Sequence, residues 1–464
     1  MWDFAFKSFN DPVWGIVIQI TLLLVFLVLG NLLRRIIPAL RKTFIPAALI
    51  GGVLLILFNW LIKTISPSDF KIINAGIMKI VTYHALAIGF IAMTLKVSNN
   101  QKKSGLGTLS IQNGFITGAT YMIQAVFGIL TVLVFLWCGK SIFYALGIEL
   151  PLAFGQGPGN AMTWDMNFGK LGSGTDGSFG LTLASIGFIV ASVVGVIYLN
   201  FHRSTGALTK EEMIRERRLE EFIEEHEIED NDSVDKFSIQ IGIVAVCYAI
   251  TFGIMYGLAQ FGDFVSNIAW GFNFIFGVIS ATLVKVILTQ LQKKKVIKYR
   301  YINNYQMDRI SGFSFDLMII AGVAAIDFKV LEGFIGVIIA LTIVGTLVTY
   351  GYVRLMTRHC YKNKEIEHEM FLVNFGTLTG TASNGMILLR EVDTQYKTPA
   401  SDIFIVSQFP AMIAVAPLLL LLDFASKSLT NIYIALGVCA LLAIVYTGII
   451  LFLSKKFKER EAKK

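Results

Sequence analysis

The chain has 464 residues, 55% of them hydrophobic and only 16% charged, with a mean hydropathy of +0.66. That balance excludes an ordinary soluble domain and points to a polytopic membrane protein. A formal net charge of +8 suits Lys/Arg-rich cytoplasmic loops better than a nucleic-acid binder, and four cysteines with no CxxC pair argue against disulfides and zinc.

In chain order, apolar stretches predict eleven spans, at about 14–33, 44–61, 77–95, 112–137, 178–200, 238–260, 264–289, 312–331, 334–353, 401–422 and 430–453. The first, Trp14 to Leu33, is 20 residues without a charge, enough to cross a bilayer once. The residues before it lack the basic start and small-residue cleavage site of a signal peptide, so it reads as a true span. Two apolar, glycine-rich segments are left over, at about 143–170 and 369–392. The first contains FGQGPGNA, Phe154 to Ala161, in which three glycines and a proline fall between Gly155 and Gly159. Such a run cannot continue a helix, because glycine weakens it and proline removes a donor. Both segments are expected to dip into the membrane and return on the same side. The loop 201–236 carries a capping box, Thr209 to Glu212, and then a charged helical pattern, which predicts a solvated cytoplasmic linker helix.

Basic residues give an orientation. With the N-terminus outside, 31 of the 40 Lys and Arg fall in inside loops and 8 outside, with Lys285 near an inner helix end. That is the positive-inside pattern, and it places the C-terminus in the cytoplasm of a cell (inner) membrane protein.

Two pattern pairs indicate a duplication. FGQGPGNA and FGTLTGTA (Phe375 to Ala382) both read F-G-x-x-x-G-x-A. GFIAMTLK (Gly89 to Lys96) and GVAAIDFK (Gly322 to Lys329) share G-x-x-A-x-x-(L/F)-K, in the same order. The expected fold is an all-α polytopic membrane protein of about 11 transmembrane helices. It has two five-helix repeats, 1–200 and 237–422, joined by the 201–236 linker and followed by an extra span and basic tail, 423–464. Five spans is an odd number, so the second repeat is inverted, and each copy has a glycine-rich re-entrant segment. Inverted repeats with a broken helix in each half are a transporter architecture. At membrane depth, irregular backbone is tolerated only where it is buried or lines a cavity, and its freed N–H and C=O groups become ligands.

The two glycine segments, the GSFGLTLASIGFIVASVVGVIYL stretch after the first, and the five-plus-five layout resemble the bacterial sodium/glutamate symporter family, over about residues 14–422. The chain departs from that family's best-known members in the first segment. There Gly157-Pro158-Gly159-Asn160-Ala161 replaces a Gly-His-Gly-Thr-Ala type pattern, which marks a divergent branch. The resemblance implies Na⁺-coupled uptake of an acidic amino acid such as glutamate, an elevator-like motion and a homodimer in the lipid bilayer.

Candidate substrate contacts in the first segment are Gln156, Gly157, Gly159, Asn160 and Thr163. In the second they are Thr379, Thr381, Ser383 and Asn384, with Arg390 after it. Gln156 and Asn160 either bind substrate or only satisfy the broken backbone, and Arg390 either clamps a carboxylate or serves as an ordinary inside anchor. Candidate Na⁺ contacts are Thr377, Gly380, Asp327 and Asp316. The two acids have plainer alternatives, a pairing with Lys329 for Asp327 and a helix N-terminal acid for Asp316. Neutral oxygen donors outnumber buried carboxylates, which predicts Na⁺ rather than H⁺ coupling. No cofactor is expected beyond Na⁺ as coupling ion. An enzyme is not expected either: HExxH, GxSxG, GxGD and a P-loop are all missing. The alternatives kept open are a carrier of another carboxylate, such as a hydroxycarboxylate, and a Na⁺/H⁺ exchanger.

Overall fold

The computed structural model describes residues 12–38, 40, 45–65, 73–96, 106–204, 236–297, 301–361, 366–393 and 398–461. The 201–236 linker expectation lies almost wholly outside the described residues. Four helices open the chain: α1 (Pro12–Ile36), α2 (Ala47–Ile65), α3 (Ala75–Leu95) and α4 (Leu106–Trp137). A hairpin follows. Its first arm is a 3₁₀ turn (Tyr144–Ile148), a short helical turn (Glu149–Pro151) and a π turn (Leu152–Gln156), and its second arm is α5 (Pro158–Lys170). Next come α6 (Ser178–Ser204), α7 (Lys236–Ala259), α8 (Asp263–Gly271), α9 (Asn273–Lys293) and α10 (Asn304–Ala324). After a single turn (Phe328–Leu331) the chain runs through α11 (Ile335–Tyr361) into a second hairpin, α12 (Glu367–Thr379) and α13 (Ala382–Arg390). It ends with α14 (Ala400–Ala425) and α15 (Leu429–Glu461).

Among the described residues no strand occurs, and nine helices are long and apolar enough to cross a membrane. These are α1, α3, α4, α6, α7, α9, α11, α14 and α15; α2 has a shorter apolar stretch, Ala47–Ile62. The fold is therefore that of an all-α polytopic membrane protein. Both leftover glycine segments form hairpins broken at their tips. Two spans differ from the sequence expectation. The stretch 264–289 is split at Phe272 into α8 and α9, and Gly271 at the end of α8 lies against the Trp164 ring, where a Cβ would stand 3.1 Å from Cζ2. The stretch 312–331 is shifted to α10. Asn303 caps that helix by accepting from the Gln306 N–H at 2.8 Å, and the helix ends at Ala324, before Asp327.

Helices α3 and α10, which carry the two G-x-x-A patterns, pack along each other in opposite directions. The Lys96 ammonium at the end of α3 meets Asp308 near the start of α10 at 2.5 Å. Phe315 of α10 lies over Gly89, where a Cβ would come within 2.8 Å of its ring. Helices α7 and α9 cover this pair through a small core that includes Ile91, Leu95, Cys247, Ala281 and Ile310. The hairpins sit on the other side, among α4, α6, α11 and α14.

The hairpins enter the bundle from opposite ends. The mouth of the first lies at the C-terminal end of α4 and of α14, where the Tyr144 hydroxyl donates to Ser426 O at 2.8 Å. The mouth of the second lies at the C-terminal end of α6, where the Tyr198 hydroxyl meets His368 Nδ1 at 2.8 Å. Near that end too, the Tyr361 hydroxyl of α11 donates to Leu109 O, at the start of α4. Within the second hairpin the arms touch backbone to backbone: a Cβ on Gly376 would stand 2.9 Å from Gly385 Cα.

Candidate functional site at the two helix breaks

Each break follows from its local sequence. At the first, Gly157 adopts φ +80°, a left-handed conformation that L side chains adopt only at a cost. Pro158 then takes the first helical position of α5, where its missing N–H is no loss. At the second, α12 ends at Gly380, whose N–H still donates to Gly376 O at 3.0 Å, and extended Thr381 starts α13. Neither Gly157 nor Thr381 caps its helix with a side chain. Two helix N-termini are thus left with free backbone N–H groups and the positive end of a macrodipole.

The two breaks meet. A side chain on Gly157 would stand 3.0 Å from Thr381 Cγ2 and 3.9 Å from Gly380 O. They lie near mid-length of the surrounding helices, where α4 supplies two polar groups. The Tyr121 ring lies against Gly155, and its hydroxyl is hydrogen-bonded to the Gln156 side chain. Gln124 Nε2 donates to Leu378 O and to the Thr349 hydroxyl, both at 2.8 Å, and so holds the end of α12 against α4 and α11. Deeper in, Asn113, Asn374 and Ser407 bond one another and tie α12 to α4 and α14.

Three buried side-chain atoms beside the breaks have no hydrogen-bond partner: Asn160 Oδ1, Thr381 Oγ1 and Asn384 Nδ2. The other side of the Asn160 amide donates to Gln156 Oε1 at 2.8 Å. Asn384 Nδ2 faces Gly380, where a Cβ would come within about 2.5 Å of it. Unpartnered buried polar atoms are costly, and several at one place mark somewhere a ligand is bound. The group offers an acceptor, a hydroxyl, an amide donor and two positive helix ends. That set suits an anionic group such as a carboxylate, with an acceptor left for an ammonium or hydroxyl.

The structure brings together Gln156, Gly157, Asn160, Gly380, Thr381 and Asn384. Gly159 lies one residue on and faces Leu86 of α3, where a Cβ would stand 2.8 Å from Cδ2. The hydroxyls of Thr163, Thr377 and Thr379 donate to carbonyls one turn back in their own helices, at 2.8, 2.7 and 2.7 Å. The side chains of Ser383 and Arg390 lie outside the described residues. The two acids are not at the breaks. Asp327 is exposed and caps the turn after α10, accepting from the Lys329 N–H at 3.0 Å. Its own N–H donates to Ser178 Oγ at 3.1 Å. Asp316 is half-buried on α10 with Arg34 of α1 as its charged neighbour, while Met318 is the α10 residue that reaches Gly157.

Sequence reasoning missed Tyr121 and Gln124. Their signal was their spacing, three residues apart in a hydrophobic span that also carries Gln112, Asn113 and Thr120, which places Tyr121 and Gln124 on one helix face. What fold and site define together is a membrane-embedded helix bundle with a shared polar site at two opposed helix breaks. The chain matches no protein-family model and no curated protein.

Proposed function

We propose that this protein is a secondary active transporter. It carries an acidic amino acid, glutamate or a related carboxylate, together with Na⁺ across a cell membrane by alternating access. One observation carries the reading. Two uncapped helix N-termini, borne by hairpins that enter from opposite ends, face one another beside three buried polar atoms without partners. A site in that position can be opened from either end, and its polarity favours a carboxylate. The broken ends of the first arm and of α12 supply carbonyl oxygens of the kind that hold a hard monovalent cation. The positive-inside count supports an external N-terminus and a cytoplasmic C-terminus. The resemblance to the sodium/glutamate symporters supports the same substrate class and a homodimer.

The test is uptake of labelled amino acids and dicarboxylates into proteoliposomes, with and without an inward Na⁺ gradient. Accumulation of an acidic substrate only with the gradient is expected. Accumulation without Na⁺ that collapses with a protonophore would refute Na⁺ coupling. A protein that moves Na⁺ against protons with no organic substrate would be an exchanger.

A further inference from the structure

The first hairpin holds a second polar feature that the breaks do not use. Glu149, in the short turn between the 3₁₀ and π segments, is 0% exposed, and neither of its carboxylate oxygens has a hydrogen-bond partner. The charged group that acts on it is another acid, Asp165 of α5. Asp165 is also wholly buried but is well satisfied. Its Oδ2 accepts from the Gly180 N–H at 3.0 Å, and its Oδ1 accepts from the Thr175 hydroxyl. Those donors satisfy the Asp165 carboxylate, whereas Glu149 has none, so of the two neighbouring buried acids Glu149 is the one whose charge would stand uncompensated.

The surrounding elements bring no compensation. Helix α4, packed against this turn, has Tyr121 as its only titratable residue, and Tyr121 is engaged at Gln156. Lys79 of α3 faces Asp165, but its ammonium is bound to Asp176, at 2.7 Å to the carboxylate and 2.6 Å to the carbonyl. At the hairpin mouth α14 presents Asp423, paired with Lys427 at 2.7 Å, and the first turns of α15 carry only an exposed Tyr433. Among the described residues no basic side chain pairs with Glu149. A dry carboxylate with no donor and a like-charged neighbour is unstable as an ion but tolerable as a neutral acid.

We propose that Glu149 is a proton-binding site of this protein, exchanging its proton with water when the hairpin is wetted. Two groups of polar contacts lie at the hairpin mouth, and no hydrogen bond joins either of them to Glu149. Asp176 is exposed and holds Lys79, the Ser173 and Thr175 hydroxyls are 2.7 Å apart, and Thr175 bonds Asp165. A proton released from the Glu149 carboxyl leaves a carboxylate and passes to water at the mouth. The closed hairpin therefore holds the proton, and a wetted one gives it up. The buried acid makes the transport cycle sensitive to pH, which Na⁺ coupling alone does not require. The inference rests on the hairpin and not on the identity of any substrate.

The experiment is infrared spectroscopy of the purified protein in lipid vesicles at pH 7, comparing wild type with E149Q. Wild type should show a protonated-carboxyl C=O band that E149Q lacks. Spectra that coincide in that region would overturn the proposal. Carbon-13 labelling of glutamate carboxyls in wild type gives the same reading without a variant: a shifted protonated band supports the site, and only carboxylate bands refute it. No transport is needed, so these outcomes are separate from the fate of the symporter reading.

Discussion

Gly157 and Thr381, more than two hundred residues apart in the chain, lie so close that a β-carbon on the first would touch the methyl group of the second at 3.0 Å. This contact makes one site of two helix breaks, and the predictions below follow from it and its surroundings.

Gly157 and Gly159 should fail for different reasons. At Gly157 any L side chain meets a left-handed backbone, a penalty of about 1–2 kcal/mol, and then Thr381. G157L should abolish uptake while the protein still inserts. At Gly159 the backbone is helical and the obstacle is the flexible tip of Leu86 at 2.8 Å. G159A should therefore be tolerated better than G157A, and G159L should be inactive. Uptake assays on membrane fractions with matched protein levels check the order; equal activity of G157A and wild type would show that the left-handed turn is dispensable.

Thr381 separates stability from function. Its hydroxyl is buried and unpartnered without ligand, so T381V should leave the thermal midpoint of the empty protein unchanged or raise it. If the hydroxyl bonds a charged substrate, that bond is worth about 1.5–3 kcal/mol, or about tenfold or more in apparent affinity. The expected result is an unchanged or higher melting temperature with a raised KM. A large loss of stability would mean that the hydroxyl holds the fold.

Gln124 should behave in the opposite way. Q124L leaves the Leu378 carbonyl and the Thr349 hydroxyl without their shared donor. Stranding a buried acceptor costs about 1–3 kcal/mol. A lower melting temperature with or without substrate is expected, and an unchanged one would show that water replaces the amide.

Accessibility tests the opposed hairpins. In a cysteine-free background, which must remove the exposed Cys138, single cysteines at Leu171 and Arg358 mark opposite ends of the bundle. Both positions are exposed. A membrane-impermeant thiol reagent should label the first from outside cells and the second from inside-out vesicles. Labelling of both from one face would break the inverted arrangement.

The broken segments were legible in the sequence because glycine and proline act locally, through φ and the missing donor. Both segments fold as hairpins whose arms, of 13 residues or fewer, are not among the nine candidate spans of the described residues. What hydropathy could not show were effects of packing. The split at Phe272 falls where Gly271 packs against Trp164. The shift of α10 comes from an Asn303 cap among polar residues, and that shift turned Asp327 from an apparent in-span acid into a surface cap. The threonine run of the second segment was visible, but Thr377 and Thr379 spend their hydroxyls on their own helix. Four carboxylates, Glu149, Asp165, Asp393 and Asp423, are buried among the described residues, and only packing shows which.

The contact between Gly376 and Gly385 bears on how such a site could open. At that point the backbones touch, with the Leu388 and Thr377 side chains packed beside them, so the two arms are closely joined. A tip that gaped like a pair of jaws would have to break this contact. The whole hairpin swinging as one piece on its mouth, or the surrounding helices withdrawing from it, would open a way past Thr381 and leave the contact intact.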